Sequence, residues 1–147
     1  MSLKDWVDNG WLRVHETKPT DIHELLKRAE KNLSESYKMT GDPDWQFNII
    51  YAAVINLANA ALMAEGFRTR SDSGHYYAIE SLELTVKLES HIVNVLDSFR
   101  KKRHIATYER CGVISMDMVE QILRITQDLQ KRVLKWLKNK HPDLLKN

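Results

Sequence analysis

Eight residues decide where helices can run in this chain of 147: Gly10, Gly41, Gly66, Gly74 and Gly112, with Pro19, Pro43 and Pro142. Proline removes a helix donor and clashes with the preceding turn, and an interior glycine costs about 1 kcal/mol. Stretches 20–40, 44–65, 75–111 and 113–141 contain neither. Each is long enough for a helix of three turns or more.

The residues inside these stretches carry helical periodicity. Thr20 is read as an N-cap, and Ile22, Leu25, Leu26, Ala29, Leu33 and Tyr37 follow at spacings of three and four. Residues 39–43 form a turn, with Asp42 as cap and Pro43 at the first helical position. The second helix runs to a stop at Gly66 and is apolar nearly all round, with six alanines through Ala64. That pattern predicts a buried, central element. After a loop at 69–74, residues 75–82 read as a short helix, 83–88 are ambiguous, and a long helix covers about 89–110. Ser115 caps a last helix bearing Val119, Ile122, Leu123, Ile125, Leu129, Val133, Leu134, Trp136 and Leu137. With no alternating strand pattern and no repeat, the expectation is an all-α, single-domain, up-and-down bundle of four to five helices spanning 1–147. Residues 1–19 form an extension packed on it.

Composition removes several classes of function. Apolar residues make up 43% and charged residues 29%, which excludes disordered and low-complexity chains. A single cysteine, Cys111, excludes an internal disulfide and a thiolate zinc site, and reads as an inert thiol. His15, His23, His91 and His141 show no ligand spacing, so neither a metal nor a cofactor is expected. The residues that open the chain do not resemble a signal peptide, and no uncharged apolar run is read as long enough for a membrane span, so a cytoplasmic, soluble protein is expected. The four tryptophans read as core or interface anchors, and Met116 and Met118 as packing residues or dimer contacts.

The net charge of +2 conceals an uneven distribution. Residues 1–99 carry 10 basic and 15 acidic side chains, whereas residues 100–147 carry 12 and 5. The change of sign falls at Arg100. Within the fourth helix, Arg103 lies at the edge of the apolar stripe made by Ile92, Val95, Leu96, Phe99 and Ala106. A charge there needs a reason. One reading is structural: Arg103 snorkels, or pairs with a carboxylate such as Glu65 or Glu80. The other is a phosphate-binding constellation of Arg103 with Arg100, His104 and Tyr108, which stack at spacings of four. Lys101 and Lys102 read as a solvated face.

Segment 99–109 resembles the Arg-Lys-Arg-Asn-x-x-x-Tyr-Glu signature of the HEPN superfamily (higher eukaryotes and prokaryotes nucleotide-binding domain). The likeness to small stand-alone bacterial members extends over most of the chain. It includes Trp6, Gly10, Trp11 and Leu12; Asp44, Trp45, Tyr51, residues 57–62 and residues 66–68; and residues 74–77 with Ser81 and Leu82. The resemblance implies a dimeric helical bundle. It further implies a metal-independent ribonuclease in which an Arg-x(4–6)-His motif meets its counterpart at the dimer interface, leaving 2′,3′-cyclic phosphate ends. Residue by residue, Arg103 takes the place of the motif arginine, His104 of a polar residue that is usually Asn, and Tyr108 of the nuclease histidine. Ala52 stands where relatives often carry Asn.

Tyrosine, with an ordinary pKa near 10, donates a proton at pH 7 but accepts one poorly. The expectation is therefore an RNA- or nucleotide-binding homodimer with weak or absent nuclease activity. A toxin–antitoxin or stress role and a nucleotidyltransferase partner follow from the resemblance. The alternatives are a ribonuclease using His104 or His75, and a protein-interaction module with no nucleic-acid role. His75 is placed by the resemblance at a position that carries a histidine, and also reads as a cap or local hydrogen-bond partner. Literal Arg-x(4–6)-His matches, Arg68 or Arg70 with His75, span a loop and are set aside as chance.

Overall fold

The computed structural model describes residues 1–39, 41–71 and 74–146. Parts of the expected turn at Thr40 and of the expected loop at Asp72 and Ser73 lie outside these. In chain order the elements are α1 (Leu3–Asp8), β1 (Leu12–Val14), α2 (Pro19–Ser36), α3 (Pro43–Ala64), β2 (Phe67–Thr69), α4 (His75–Glu80), α5 (Ser90–Tyr108) and α6 (Met116–Lys140). Short 3₁₀ turns follow α4 at Ser81–Glu83 and α6 at Pro142–Leu145. The four long helices form a single-domain, up-and-down bundle.

Among the described residues there are six α-helices rather than four to five, and a small β ribbon interrupts the all-α expectation. The unforeseen helix is α1, too short to show a period. Its signal is local: Ser2 accepts from the Asp5 amide at 3.1 Å while Asp5 accepts from the Ser2 amide at 2.8 Å, a reciprocal cap. The ribbon pairs β1 with β2 antiparallel, Leu12 opposite Thr69, Arg13 opposite Arg68 and Val14 opposite Phe67. Strands of three residues are too short to display alternation.

α3 is the hub. It packs against α2, α4, α5 and α6, and Phe47, Ile50, Tyr51, Val54, Leu57, Ala58 and Ala61 are all buried. By length and composition it could cross a membrane, with a mean hydropathy of 1.6 over its most apolar window, which corrects the expectation that no stretch qualifies. Two-thirds of that window (67%) is buried inside the protein. Enclosure by the other helices is itself a sufficient reason for such apolarity. Gly66 ends α3 at φ +90°, a conformation that favours glycine, and its carbonyl accepts from the His15 amide at 2.8 Å.

Helix ends follow local chemistry. Asp42 accepts from the Trp45 amide at 3.2 Å and Pro43 opens α3, as read from the sequence. Ser115 caps α6 through the Met118 amide at 3.2 Å. At α2 the cap shifts: Lys18 is the N-cap, Pro19 the first helical residue, and Thr20 lies inside the helix. The Asp21 carboxylate accepts from the Lys18 amide at 3.0 Å and so takes the role expected of Thr20. α6 buries Val119, Ile122, Leu129, Val133 and Leu137 against the bundle, each worth about 1.5–3 kcal/mol.

A second apolar cluster holds the N-terminal segment. Leu3, Trp6 and Leu12 are buried against Leu62 of α3. Trp11 stacks on Tyr77 of α4 with ring centres 5.3 Å apart, and Trp6 meets both rings edge-on. Trp45 departs from the core expectation, since it stands 58% exposed at the start of α3.

Candidate functional site

Phe47 of α3 and Phe99 of α5 meet edge to face, ring centres 5.4 Å apart, and fix one helix against the other. One turn further along α5, Arg103 reaches the surface of α3. Its Nε donates to Asn48 Oδ1 at 3.0 Å, and its guanidinium lies 5.5 Å from the centre of the Tyr51 ring. Among the described residues Arg103 forms no ion pair. The carboxylates expected as partners are engaged elsewhere: Glu65 with Lys140 and His141, both at 2.7 Å, and Glu80 with Tyr76. The buried-ion-pair reading of Arg103 is thereby corrected. An amide oxygen and an aromatic face orient the guanidinium without neutralising it.

Tyr51 is buried, and its hydroxyl is hydrogen-bonded to His75 Nδ1 at 3.2 Å. Burial raises the phenol well above its ordinary value of 10.0, so Tyr51 stays protonated. Burial also lowers the His75 pKa below 6.5, and the nearby Arg103 and Arg100 charges lower it further. His75 is therefore a neutral imidazole at pH 7, joined through Tyr51 to the arginine.

Arg100 lies one turn before Arg103. Its Nε donates to Asp97 Oδ1 at 2.7 Å, and its guanidinium sits 5.4 Å from the Tyr76 ring centre. His104 and Tyr108 lie on the exposed side of α5, their rings 4.9 Å apart and 68% of Tyr108 open to solvent. The residues singled out from the sequence thus divide. Arg103 and His75 contact Tyr51 and Arg100 contacts Tyr76, the residue after His75, while His104 and Tyr108 contact each other and do not line the cleft beside Arg103.

That cleft, of about 390 Å³, lies between the start of α3, the end of α5 and the segment after it. Arg103 and Asn48 form one part of its wall; Trp45, Asp42 and Asp44 form another. The acids have structural work: Asp42 caps α3, and Asp44 Oδ2 accepts from the Gly112 amide at 3.0 Å. Asp44 Oδ1 is buried without a hydrogen-bond partner among the described residues. Exposed Cys111 lies at the rim. Among the described residues, no group of three or more His, Cys, Asp or Glu is placed to hold a metal ion.

Sequence reasoning missed Asn48, Tyr51 and Trp45 as site residues. The available signal was Asn48 itself, one of a few polar residues, with Gln46, Asn56 and Asn59, in a mostly apolar helix. No protein-family model matches this chain, and no curated protein is detectably similar to it.

Proposed function

We propose that the protein is a HEPN-like RNA- or nucleotide-binding protein whose Arg103 cleft receives phosphate. The observation that carries this reading is an arginine oriented by Asn48 and Tyr51, beside an open cleft, with no carboxylate among the described residues paired to it. Nε is engaged, which leaves the terminal amines of the fork for a pair of phosphate oxygens. The same cleft offers the exposed Trp45 for base stacking. A cation beside an aromatic side chain suits one nucleotide unit.

Nuclease activity is expected to be weak or absent. Tyr108 occupies the motif-histidine position of the resemblance, is a poor base, and points to solvent away from Arg103. One observation favours the alternative, a metal-independent endoribonuclease: His75 is neutral and linked to the Arg103 environment through Tyr51. Total RNA incubated with wild type and Arg103→Ala in EDTA separates the two. Unchanged RNA is the expected result; cleavage to 2′,3′-cyclic phosphate ends, abolished by Arg103→Ala, establishes the enzyme instead.

Homodimerisation belongs to the same proposal. Trp45, Tyr108 and Met116, all large, apolar and exposed, lie at the end of the bundle where the segment after α5 meets α3. A cytoplasmic setting rests on the reading of the sequence, and a role in a toxin–antitoxin or stress system, with a nucleotidyltransferase as partner, on the resemblance alone.

A further inference from the structure

The β ribbon brings together residues that lie far apart in sequence. Arg13 and Arg68 are directly opposite each other in the register, so their side chains leave the same face. Like charges in that position destabilise a ribbon. Among the described residues neither arginine forms an ion pair or hydrogen bond through its side chain, and neither does Arg70, which follows β2. Arg28 enters from α2, its Nε donating to Glu24 Oε1 at 3.2 Å.

These four arginines wall a pocket of about 300 Å³ that is also lined by Asn59 and His75. Among the described residues that line it there is no Asp or Glu. Among the described residues the only carboxylate paired with any of the four arginines is Glu24, which is exposed, binds Arg28 and does not line the pocket. Such a surplus is stable when an anion completes it, and guanidinium forks match phosphate oxygens in pairs.

We propose that this pocket seats the phosphate chain of a small polyphosphate, either free or as the triphosphate of a nucleotide. A single phosphate group is too small a counter-charge for four arginines, whereas a triphosphate offers several oxygens along one line. The volume sits at the small end of ligand sites, which suits a short chain rather than a polymer running through. The site is separate from the Arg103 cleft. Tyr51 faces Arg103, and His75, on the other side of their shared hydrogen bond, lines the arginine pocket. Arg68, Arg70 and His75, whose sequence match was set aside, are here joined in space. The proposal does not depend on the function assigned to Arg103.

Isothermal titration with sodium tripolyphosphate, ATP and a short RNA tests it on wild type, on the double variant Arg13→Gln/Arg68→Gln, on Arg70→Gln and on Lys138→Gln, which removes an exposed charge of α6 outside both sites. Tripolyphosphate is expected to bind wild type, at least about tenfold more weakly to the double variant, several-fold more weakly to Arg70→Gln, and unchanged to Lys138→Gln. Without ligand the double variant should melt no lower than wild type, because its opposed charges are gone. Equal affinity for tripolyphosphate and ATP assigns the site to the phosphate chain alone, and tighter ATP binding assigns it to a nucleotide. No binding to wild type overturns the proposal. So do unchanged affinity in both arginine variants, an equal loss in Lys138→Gln, and displacement of tripolyphosphate by RNA at equal phosphate concentration.

Discussion

The guanidinium of Arg103 lies over the ring of Tyr51, 5.5 Å from its centre, and couples α5 to a buried phenol of α3. Because Tyr51 in turn meets His75, a charge on α5 is felt at the start of α4. Three helices thus meet at one side chain, Tyr51, α5 at its ring and α4 at its hydroxyl.

That coupling is measurable. His75 is held below its ordinary 6.5 by burial first and by Arg103 and Arg100 next. Removing the Arg103 charge removes one of these causes. The NMR titration of the His75 ring is expected to have its midpoint below 6.5 in wild type and to move upward in Arg103→Ala. An unchanged midpoint would place Arg103 too far from His75 to matter.

The same shift has a consequence for stability. A histidine whose folded pKa is depressed binds its proton more readily in the unfolded chain. Its contribution is complete above about pH 6.5 and falls as pH drops below that value, because the unfolded state then gains protons first. Glu65 acts in a lower window. Burial alone would raise its pKa, but the hydrogen bonds from Lys140 and His141 outweigh this and lower it. Its contribution is present above 4.5 and lost below. Melting temperature measured from pH 7 to 5 should therefore decline in wild type, and decline less in His75→Gln.

Gly74 is a purely steric position. A Cβ built there would stand 2.5 Å from the Thr69 Cβ, so α4 starts in direct contact with β2. Gly74→Ala forces one of them to move, at a cost of about 1–3 kcal/mol. A melting temperature several degrees lower is expected by circular dichroism. A stability equal to wild type would mean that this junction yields freely.

Oligomeric state bears on the exposed apolar end of the bundle. Light scattering should return twice the 17.2 kDa chain mass, and Trp45→Lys should shift the protein toward the monomer. A monomer for wild type at micromolar concentration would remove the dimer from the proposal.

The long helices were legible because their ends are written in local chemistry: Asp42 with Pro43, Gly66, and Ser115 all act where the sequence places them. The ribbon was not, because each strand is three residues long and its pairing joins positions more than fifty residues apart. The site was half legible. Arg103 stood out as a charge at the edge of an apolar stripe, yet its partners were sought among carboxylates. Asn48 and Tyr51 carry no charge and sit in the most apolar helix, so nothing in the local pattern tied them to an arginine that lies 55 residues beyond Asn48. Arg68, Arg70 and His75 matched a motif but spanned a loop, and only the folded ribbon gives their proximity meaning.

The central claim is that Arg103 receives phosphate, and fluorescence anisotropy with a labelled RNA oligonucleotide tests it most directly. Wild type is expected to bind with an affinity that falls as salt rises, and Arg103→Ala to bind about tenfold more weakly or worse while keeping its helical spectrum. Asn48→Ala, which frees the guanidinium without removing it, should fall between them. Arg103→Ala binding as tightly as wild type at every salt concentration would contradict the claim.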